Sequence, residues 1–170
     1  SYGMTGASQS LQPVKGREDM TVLENEMTMC AACHSRRTPL VEPTVHGESF
    51  LDQYAPALIS DGLYYDNGDI LDEVYVYGSF LQSGMAQAGV TCSDCHDPHT
   101  GERRLPGDLL CLSCHAGTNE EVPIHVAHED SFMPLTCETC HMPKRTYMGT
   151  DARGDHRFGI PDPMTSRQVG

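Results

Sequence analysis

The most constraining feature of this chain is a five-residue pattern, Cys-x-x-Cys-His, which occurs four times and accounts for all eight cysteines. The pattern is the attachment signal of c-type haem, because its two thiols bond to the two vinyl groups of one porphyrin. The histidine that follows lies close enough to become the proximal ligand of the iron. The sequence therefore predicts four covalent haems, attached through Cys30 and Cys33, Cys92 and Cys95, Cys111 and Cys114, and Cys137 and Cys140. The predicted proximal ligands are His34, His96, His115 and His141.

Zinc binding and disulfide bonding also use paired cysteines. Four Cys-x-x-Cys pairs have enough sulfurs for two four-thiolate zinc sites, and cysteines in an exported protein also form disulfides. Neither requires a histidine directly after every second cysteine, whereas haem attachment does. The regular histidine favours haem, and a strong Soret absorbance band that sharpens on reduction is the property that distinguishes it.

The apolar side chains of this chain are too few to form an ordinary core. It has no Trp, only four Phe and a hydrophobic fraction of 38% in 170 residues. Four haems leave 170/4, or about 42, residues for each large apolar porphyrin. We therefore expect a single tetrahaem domain over residues 1–170, of the multihaem cytochrome c class. Its fold should be mainly α, with a few short helices, extensive loops wrapped around a stacked haem array, and little or no β-structure.

The formal net charge of −13 restricts the partners of the chain. An acidic surface disfavours nucleic acid, whose phosphates require Lys and Arg, and it disfavours anionic lipid. No apolar run approaches the roughly 18 residues that a membrane helix needs. Because c-type haem is attached outside the bacterial cytoplasmic membrane, we expect an extracellular or periplasmic protein with redox proteins as partners. We also expect a signal peptide that is removed at or near Ser1.

The first motif is separated from the second by a long insert, whereas the last three motifs are crowded. Residues 1–17 are polar and predict a flexible or partner-contacting arm, and residues 142–170 are rich in Pro and Gly and predict an extended tail. Helical composition extends from Glu18 to Cys33. The longest helix is predicted from Ile70 to Ala88, with Gly89 as its stop. Short helices are expected to carry the remaining motifs.

Each iron has a second axial position, and five histidines lie outside the motifs: His46, His99, His125, His128 and His156. Four irons and five candidates nearly match, which predicts that four of the five are ligands. Methionine is the other common sixth ligand, but packing against porphyrin edges is the better reading of the nine Met. Two histidines on each iron leave no position for a substrate and lower the reduction potential, which suits electron transfer. The sequence leaves open which histidine serves which iron.

Several stretches of the chain resemble one family. The stretches are residues 69–104 with Cys-Ser-Asp-Cys-His-Asp-Pro-His-Thr-Gly, Cys30-Ala-Ala-Cys-His-Ser-Arg-Arg, Val45-His46-Gly47, His125-x-x-His128, Cys137-Glu-Thr-Cys-His-Met-Pro-Lys-Arg-Thr-Tyr-Met and Asp155-His156-Arg-Phe-Gly-Ile-Pro. They resemble the C-terminal haem region of large bacterial multihaem cytochromes that often also carry tetratricopeptide repeats. The chain is more distantly similar to the tetrahaem cytochrome c554 and multihaem nitrite and hydroxylamine group.

The resemblance implies a haem array with two histidines on each iron, and electron transfer as its function. It favours His46, His99 and His156 as ligands, together with one or both of His125 and His128. The relatives carry further haem motifs upstream and repeats downstream that this sequence does not contain. A unit reduced to four haems resembles both small soluble carriers and the subunits of extracellular cytochrome filaments, in which one subunit donates a histidine to a haem of the next.

Three functions follow as hypotheses, and the first is favoured by the motif and histidine counts. The first is a non-enzymatic electron conduit, either as a homopolymeric filament or as a periplasmic carrier. The second is an enzyme that reduces nitrite, hydroxylamine or a sulfur oxyanion at one open haem. In that enzyme His125 or His128 acts as an acid or base, and Lys144 or Arg145 holds the anion. The third is a structural subunit of a larger oxidoreductase.

Overall fold

The computed structural model describes residues 20–45, 48–116, 136–147 and 149–161. The predicted arm at residues 1–17 lies outside these ranges. The elements in chain order are α1 (Met20–His34), β1 (Arg37–Pro39), α2 (Phe50–Gln53), β2 (Tyr54–Pro56), α3 (Tyr77–Leu81), α4 (Gly84–Gln87), α5 (Cys92–Cys95), α6 (Asp108–His115), α7 (Cys137–His141), β3 (Lys144–Tyr147) and β4 (Asp151–Gly154). None of the helices in these ranges has the length and apolar character needed to cross a bilayer.

Apart from α1, the described helices have four to eight residues each. The longest described helix is α1, which has 15 residues and confirms the helix predicted from Glu18 to Cys33. The β-structure consists of two antiparallel pairs, with Thr38 opposite Ala55 in the β1–β2 pair and Arg145 opposite Arg153 in the β3–β4 pair. The wrapping of this polypeptide around a haem array stays a prediction.

The single long helix predicted from Ile70 to Ala88 is wrong, because the structure has two short helices, α3 and α4, within that stretch. Tyr75 has a φ of +61°, a left-handed backbone conformation that a right-handed helix cannot contain. Ser83 begins α4, because its side chain accepts a hydrogen bond from the Ala86 amide at 3.0 Å. Gly89, with a φ of +86°, follows the end of α4 and confirms the predicted stop.

The predicted extended tail contains a β-hairpin. β3 and β4 are joined through Gly149, which has a φ of +76°. Arg153 of β4 donates a hydrogen bond to Glu73 at 3.0 Å, and the guanidinium of Arg145 in β3 lies 4.6 Å from the ring centre of Tyr65. These contacts hold the hairpin against the segment before α3. They therefore fix the position from which the chain continues after β4.

The buried apolar side chains are few. One cluster in the described residues consists of Tyr64, Ile70, Val74 and Tyr147, with Leu63 partly buried against it. Large apolar side chains are exposed elsewhere, among them Met29, Leu58, Leu109 and Ile160. The described part of the polypeptide therefore buries little apolar surface of its own.

We expect Ile70→Ala to destabilise the protein and Leu71→Ala to leave its stability nearly unchanged. Ile70 is 4% exposed in the cluster, whereas its neighbour Leu71 is 42% exposed. Removing a buried isoleucine side chain costs about 2–5 kcal/mol, and exposed substitutions stay within about 0.5 kcal/mol. Urea unfolding followed by circular dichroism measures both variants. Equal losses for the two variants would contradict the position of this core.

Candidate cofactor site

Each of the four Cys-x-x-Cys-His motifs lies on a helix. The first motif ends α1, the third ends α6, and the second and fourth form α5 and α7. Residues three apart share one face of a helix, so both cysteines of a motif face the same side. The helices α5 and α7 each begin with a capping box, made by Thr91 with Asp94 and by Thr136 with Thr139. The short helices predicted at these motifs are present, and the preceding threonines cap them locally.

Thiols of successive motifs lie close enough to affect one another's ionisation. The neighbours are Cys30 with Cys92, Cys95 with Cys111 and Cys114, and Cys111 with Cys137. All eight cysteines lie within the described residues and are free thiols. The four motifs therefore form an unbroken succession in space, in the same order as in the sequence.

Burial raises the pKa of three of these thiols. The pKa of Cys92 is raised to about 12 by burial and by its neighbour Cys30. The pKa of Cys137 is raised to about 11 by burial and by the nearby Asp108, and burial also raises the pKa of Cys95. These sulfurs are protonated at neutral pH. Addition of a cysteine to a vinyl group uses the S–H, so these protonated thiols are compatible with haem attachment.

Hydrogen bonds join the motif helices to one another. Glu26 of α1 accepts a hydrogen bond from the Ser93 amide of α5 at 3.0 Å. Asp108 of α6 accepts one from the Cys137 amide of α7, also at 3.0 Å. In both cases a carboxylate satisfies an amide at the start of a helix, where amides have no partner within the helix. The spacing between motifs is thus set by direct bonds between their helices.

The loop after the second motif reaches the fourth motif. The Arg103 guanidinium forms an ion pair with Glu138, one of the two residues between the cysteines of α7. Arg103 also pairs with His96 in an isolated β-bridge, and the Arg104 amide donates to the Cys95 carbonyl at 2.9 Å. Arg103 and Arg104 therefore attach the loop to both α5 and α7.

Three histidines have one ring nitrogen bonded to a backbone carbonyl. The Nδ1 atoms and their carbonyl partners are His96 with Gly101 at 3.0 Å, His141 with Gly159 at 2.9 Å, and His156 with Gly154 at 3.0 Å. A carbonyl oxygen only accepts, so Nδ1 carries the hydrogen and a neutral ring keeps its lone pair on Nε2. This is the arrangement found in histidines that bind metals, in which the second nitrogen orients the ring.

Asp155 and Arg157 anchor the segment that contains His156. The Asp155 carboxylate is 4% exposed and accepts hydrogen bonds from the Ser79 hydroxyl, from the Ile70 amide at 3.3 Å and from the Arg157 amide at 2.9 Å. The Arg157 guanidinium forms an ion pair with Asp69 at 2.7 Å. The segment is thus tied to α3 and to the residues before it.

Phe158 and Gly159 complete the contacts of this segment. The ring of Phe158 packs edge-on against Phe80 of α3 at 6.3 Å and against His156 at 5.7 Å. The Gly159 carbonyl is the partner of His141 in the fourth motif. Five consecutive residues, 155–159, therefore connect α3, the second motif and the fourth motif.

The rings of His96 and His156 lie 6.4 Å apart between their centres, with their planes inclined by 27°. Burial lowers the pKa of His156, and the neighbouring His96 and His34 lower it further, whereas the hydrogen bond to the Gly154 carbonyl and the charge of Asp155 raise it. The net effect favours the neutral ring, which is the form that binds a metal. A motif histidine and a histidine from outside the motifs thus come together, and the first motif is close by.

The other predicted ligands differ in their surroundings. His99 lies on an exposed turn with its side chain 92% accessible, and its amide donates to Asp97 at 2.8 Å. This bond and one from the Thr100 amide lower the pKa of Asp97. His34 and His115 are the last residues of α1 and α6. His46, His125 and His128 lie outside the described residues.

The two cations suggested as an anion site, Lys144 and Arg145, lie in β3. The guanidinium of Arg145, in the β3–β4 hairpin, stacks on the ring of Tyr65, which lies outside the hairpin. Lys144 is exposed at the start of β3. Within residues 20–45, 48–116, 136–147 and 149–161, no three His, Cys, Asp or Glu side chains form a group that could hold a metal ion. Haem iron takes only its axial ligands from the protein, so pairs of histidines are the relevant unit.

Sequence reasoning missed the residues that position the site. Asp155, Ser79, Glu26 and Asp108 carry no pattern that assigns them a role, although Asp155 and Phe158 lie in a stretch that carries the resemblance. For Asp155, the available signal was that this charged residue directly precedes the candidate ligand His156. Such a residue becomes informative only when its burial is known.

Comparison of the chain with protein-family models, with curated proteins and with solved structures found no match.

We expect Glu26→Ala to loosen the start of α5, and Glu24→Ala to serve as its matched control. Glu24 is exposed two residues earlier on the same helix. Losing a hydrogen bond to a charged group costs about 1.5–3 kcal/mol, and less where water reaches the carboxylate. Hydrogen exchange measures the result, with faster exchange at the Ser93 amide expected only in Glu26→Ala. Unchanged exchange at Ser93 would show that Glu26 does not hold α5.

Proposed function

We propose that this protein transfers electrons through four covalently attached c-type haems, most or all of which have histidine on both sides of the iron. The haems are held by the cysteines of the four motifs and by His34, His96, His115 and His141. The second ligands come from His46, His99, His125, His128 and His156. Redox proteins are the partners, and the protein acts outside the cytoplasm.

The observation that carries the proposal is the pairing of His96 with His156. If both rings held one iron, with a metal–nitrogen bond of about 2 Å for each as in other metal–histidine sites, their centres would lie roughly 6 Å apart. The separation of 6.4 Å between the His96 and His156 ring centres is compatible with this value. Both rings also donate Nδ1–H to a carbonyl, which leaves both Nε2 atoms available. We therefore assign His156 as the second ligand of the haem attached at Cys92 and Cys95.

The succession of neighbouring thiols supports transfer between haems. The thiol pairs link motif one to motif two, two to three, and three to four. Groups attached to these sulfurs are held close to one another, and the hydrogen bonds made by Glu26 and Asp108 keep the attaching helices in place. When bound, haem supplies an iron that changes its oxidation state with little change in ligand geometry.

Filling both axial positions favours electron transfer over reduction of a bound substrate. The contacts of Asp155 and Phe158 hold the segment that carries His156, which favours a permanently bound histidine. Arg145 is stacked on Tyr65, which leaves it poorly placed as an anion-binding group. A substrate-reducing haem would need an open iron with acid or base groups beside it.

Two assemblies fit the same role, a filament of many copies and a soluble carrier. In a filament one subunit contributes a histidine to a haem of the next, and the exposed ring of His99 is accessible to a second molecule. Light scattering of native protein distinguishes the two. We expect polymers, and a monomer at all concentrations would exclude the filament.

We expect four haems per chain in the purified protein and three in the double variant Cys111→Ala/Cys114→Ala. These two cysteines are the only attachment points of the third motif, so their loss removes one haem. The pyridine haemochrome assay against protein concentration measures the ratio. Ser113→Ala, which changes a residue between the same cysteines, is the control and should keep four. A protein without a Soret band would refute the proposal.

We expect His156→Ala to open one iron in four. The ferric protein should show only low-spin signals in electron paramagnetic resonance, and the variant should add a high-spin signal equal to one haem per chain. The reduced variant should bind one carbon monoxide per chain, because only an iron with a free axial position binds it. A high-spin signal in the unaltered protein would instead favour the enzyme hypothesis.

A further inference from the structure

The Asp155 carboxylate is a buried charge directly beside a candidate ligand. It is 4% exposed, directly precedes His156, and is held by two amides and one hydroxyl. Burying a charge is costly unless the charge is well hydrogen-bonded. The three donors belong to Ser79, Ile70 and Arg157, which lie on two separate parts of the chain. The carboxylate therefore joins the tail to the region of α3.

The two carboxylate oxygens have different partners. Oδ1 accepts from the Ser79 hydroxyl and from the Arg157 amide, and Oδ2 accepts from the Ile70 amide. Ser79 is fully buried in α3, and Ile70 belongs to the apolar cluster. Both anchoring groups are thus among the most deeply buried in the described part of the molecule.

His156 lies between two fixed points. On one side is Asp155, and on the other is Phe158, which packs on Phe80, the residue after Ser79. The backbone between these points has little freedom, and Nδ1 of His156 is bonded to the Gly154 carbonyl. The direction of the ring is therefore set by the anchors on either side of it.

We infer that Asp155 is a positioning residue that holds His156 on the iron of the second haem, and that Ser79 is its principal partner. The inference rests on the proposed function, in which His156 is an iron ligand. Its carboxylate contacts Ser79, Ile70 and Arg157, so Asp155 acts through His156 and the backbone.

Asp155→Asn tests the carboxylate with almost no change in shape. The asparagine oxygen still accepts from Ser79 and the Arg157 amide, but its NH₂ group then faces the Ile70 amide, donor against donor. We expect the variant to keep four haems and to gain carbon monoxide binding above that of the unaltered protein, up to the one per chain of His156→Ala. Asp151→Asn, an equal change of charge on the 57% exposed side chain at the start of β4, should gain none.

Ser79→Ala is a second test of the inference, and it applies even if Asp155→Asn does not fold with its haems. It removes one donor and leaves the carboxylate with its two amides. Ser83→Ala is the matched control, because Ser83 is also buried but its side chain caps α4. We expect a smaller gain of carbon monoxide binding and high-spin signal in Ser79→Ala than in Asp155→Asn, and none in Ser83→Ala.

The outcomes separate this inference from the proposed function. An unaltered protein without haem, or a His156→Ala variant that stays fully low-spin, would refute the proposed function or its ligand pair. If His156→Ala opens one iron while Asp155→Asn and Ser79→Ala, both with four haems, remain fully low-spin, the positioning role is refuted. Opening of one iron in these two variants but not in Asp151→Asn and Ser83→Ala supports it.

Discussion

The buried carboxylate of Asp155 is the interaction on which the arrangement of the histidines depends. A charge in an apolar setting is stable only when several donors surround it, and here the donors come from α3, from Ile70 and from the tail itself. Satisfying that requirement brings residues 155–159 against α3. His156 then faces His96, and the Gly159 carbonyl meets His141. One local electrostatic requirement thus organises contacts with two motifs.

A second kind of interaction joins the motif helices. The backbone amides at the start of a helix donate hydrogen bonds to a carboxylate of a neighbouring helix. Glu26 serves α5 and Asp108 serves α7, so each bond satisfies a helix end and fixes a distance between motifs. This suits a chain with a small apolar core. Where few side chains are available for packing, hydrogen bonds and ion pairs between short elements set their relative positions.

Local patterns in the sequence predicted local features, and tertiary contacts account for the rest. The helix that ends in the first motif, the short motif helices and the stop at Gly89 follow from nearby residues alone. The helix predicted from Ile70 to Ala88 failed because Ile70 pairs with Tyr64 in an isolated β-bridge and Tyr75 has a left-handed backbone, and the apolar periodicity indicates neither. The role of Asp155 depends on Ser79, which no periodicity links to it. The pairing of His96 with His156 required the same long-range information.

The contrast between His156 and His99 shows why composition alone could not rank the candidate ligands. Both lie outside the motifs, and each is preceded within two residues by an aspartate. The aspartate before His156 is buried and tied to α3, so its neighbour is directed toward another histidine. The aspartate before His99 instead closes an exposed turn, and the ring extends into solvent. Identical residue types therefore produce a fixed, neutral ring in one place and an accessible ring in the other, and under the proposed function only the first is preorganised for iron within a single chain.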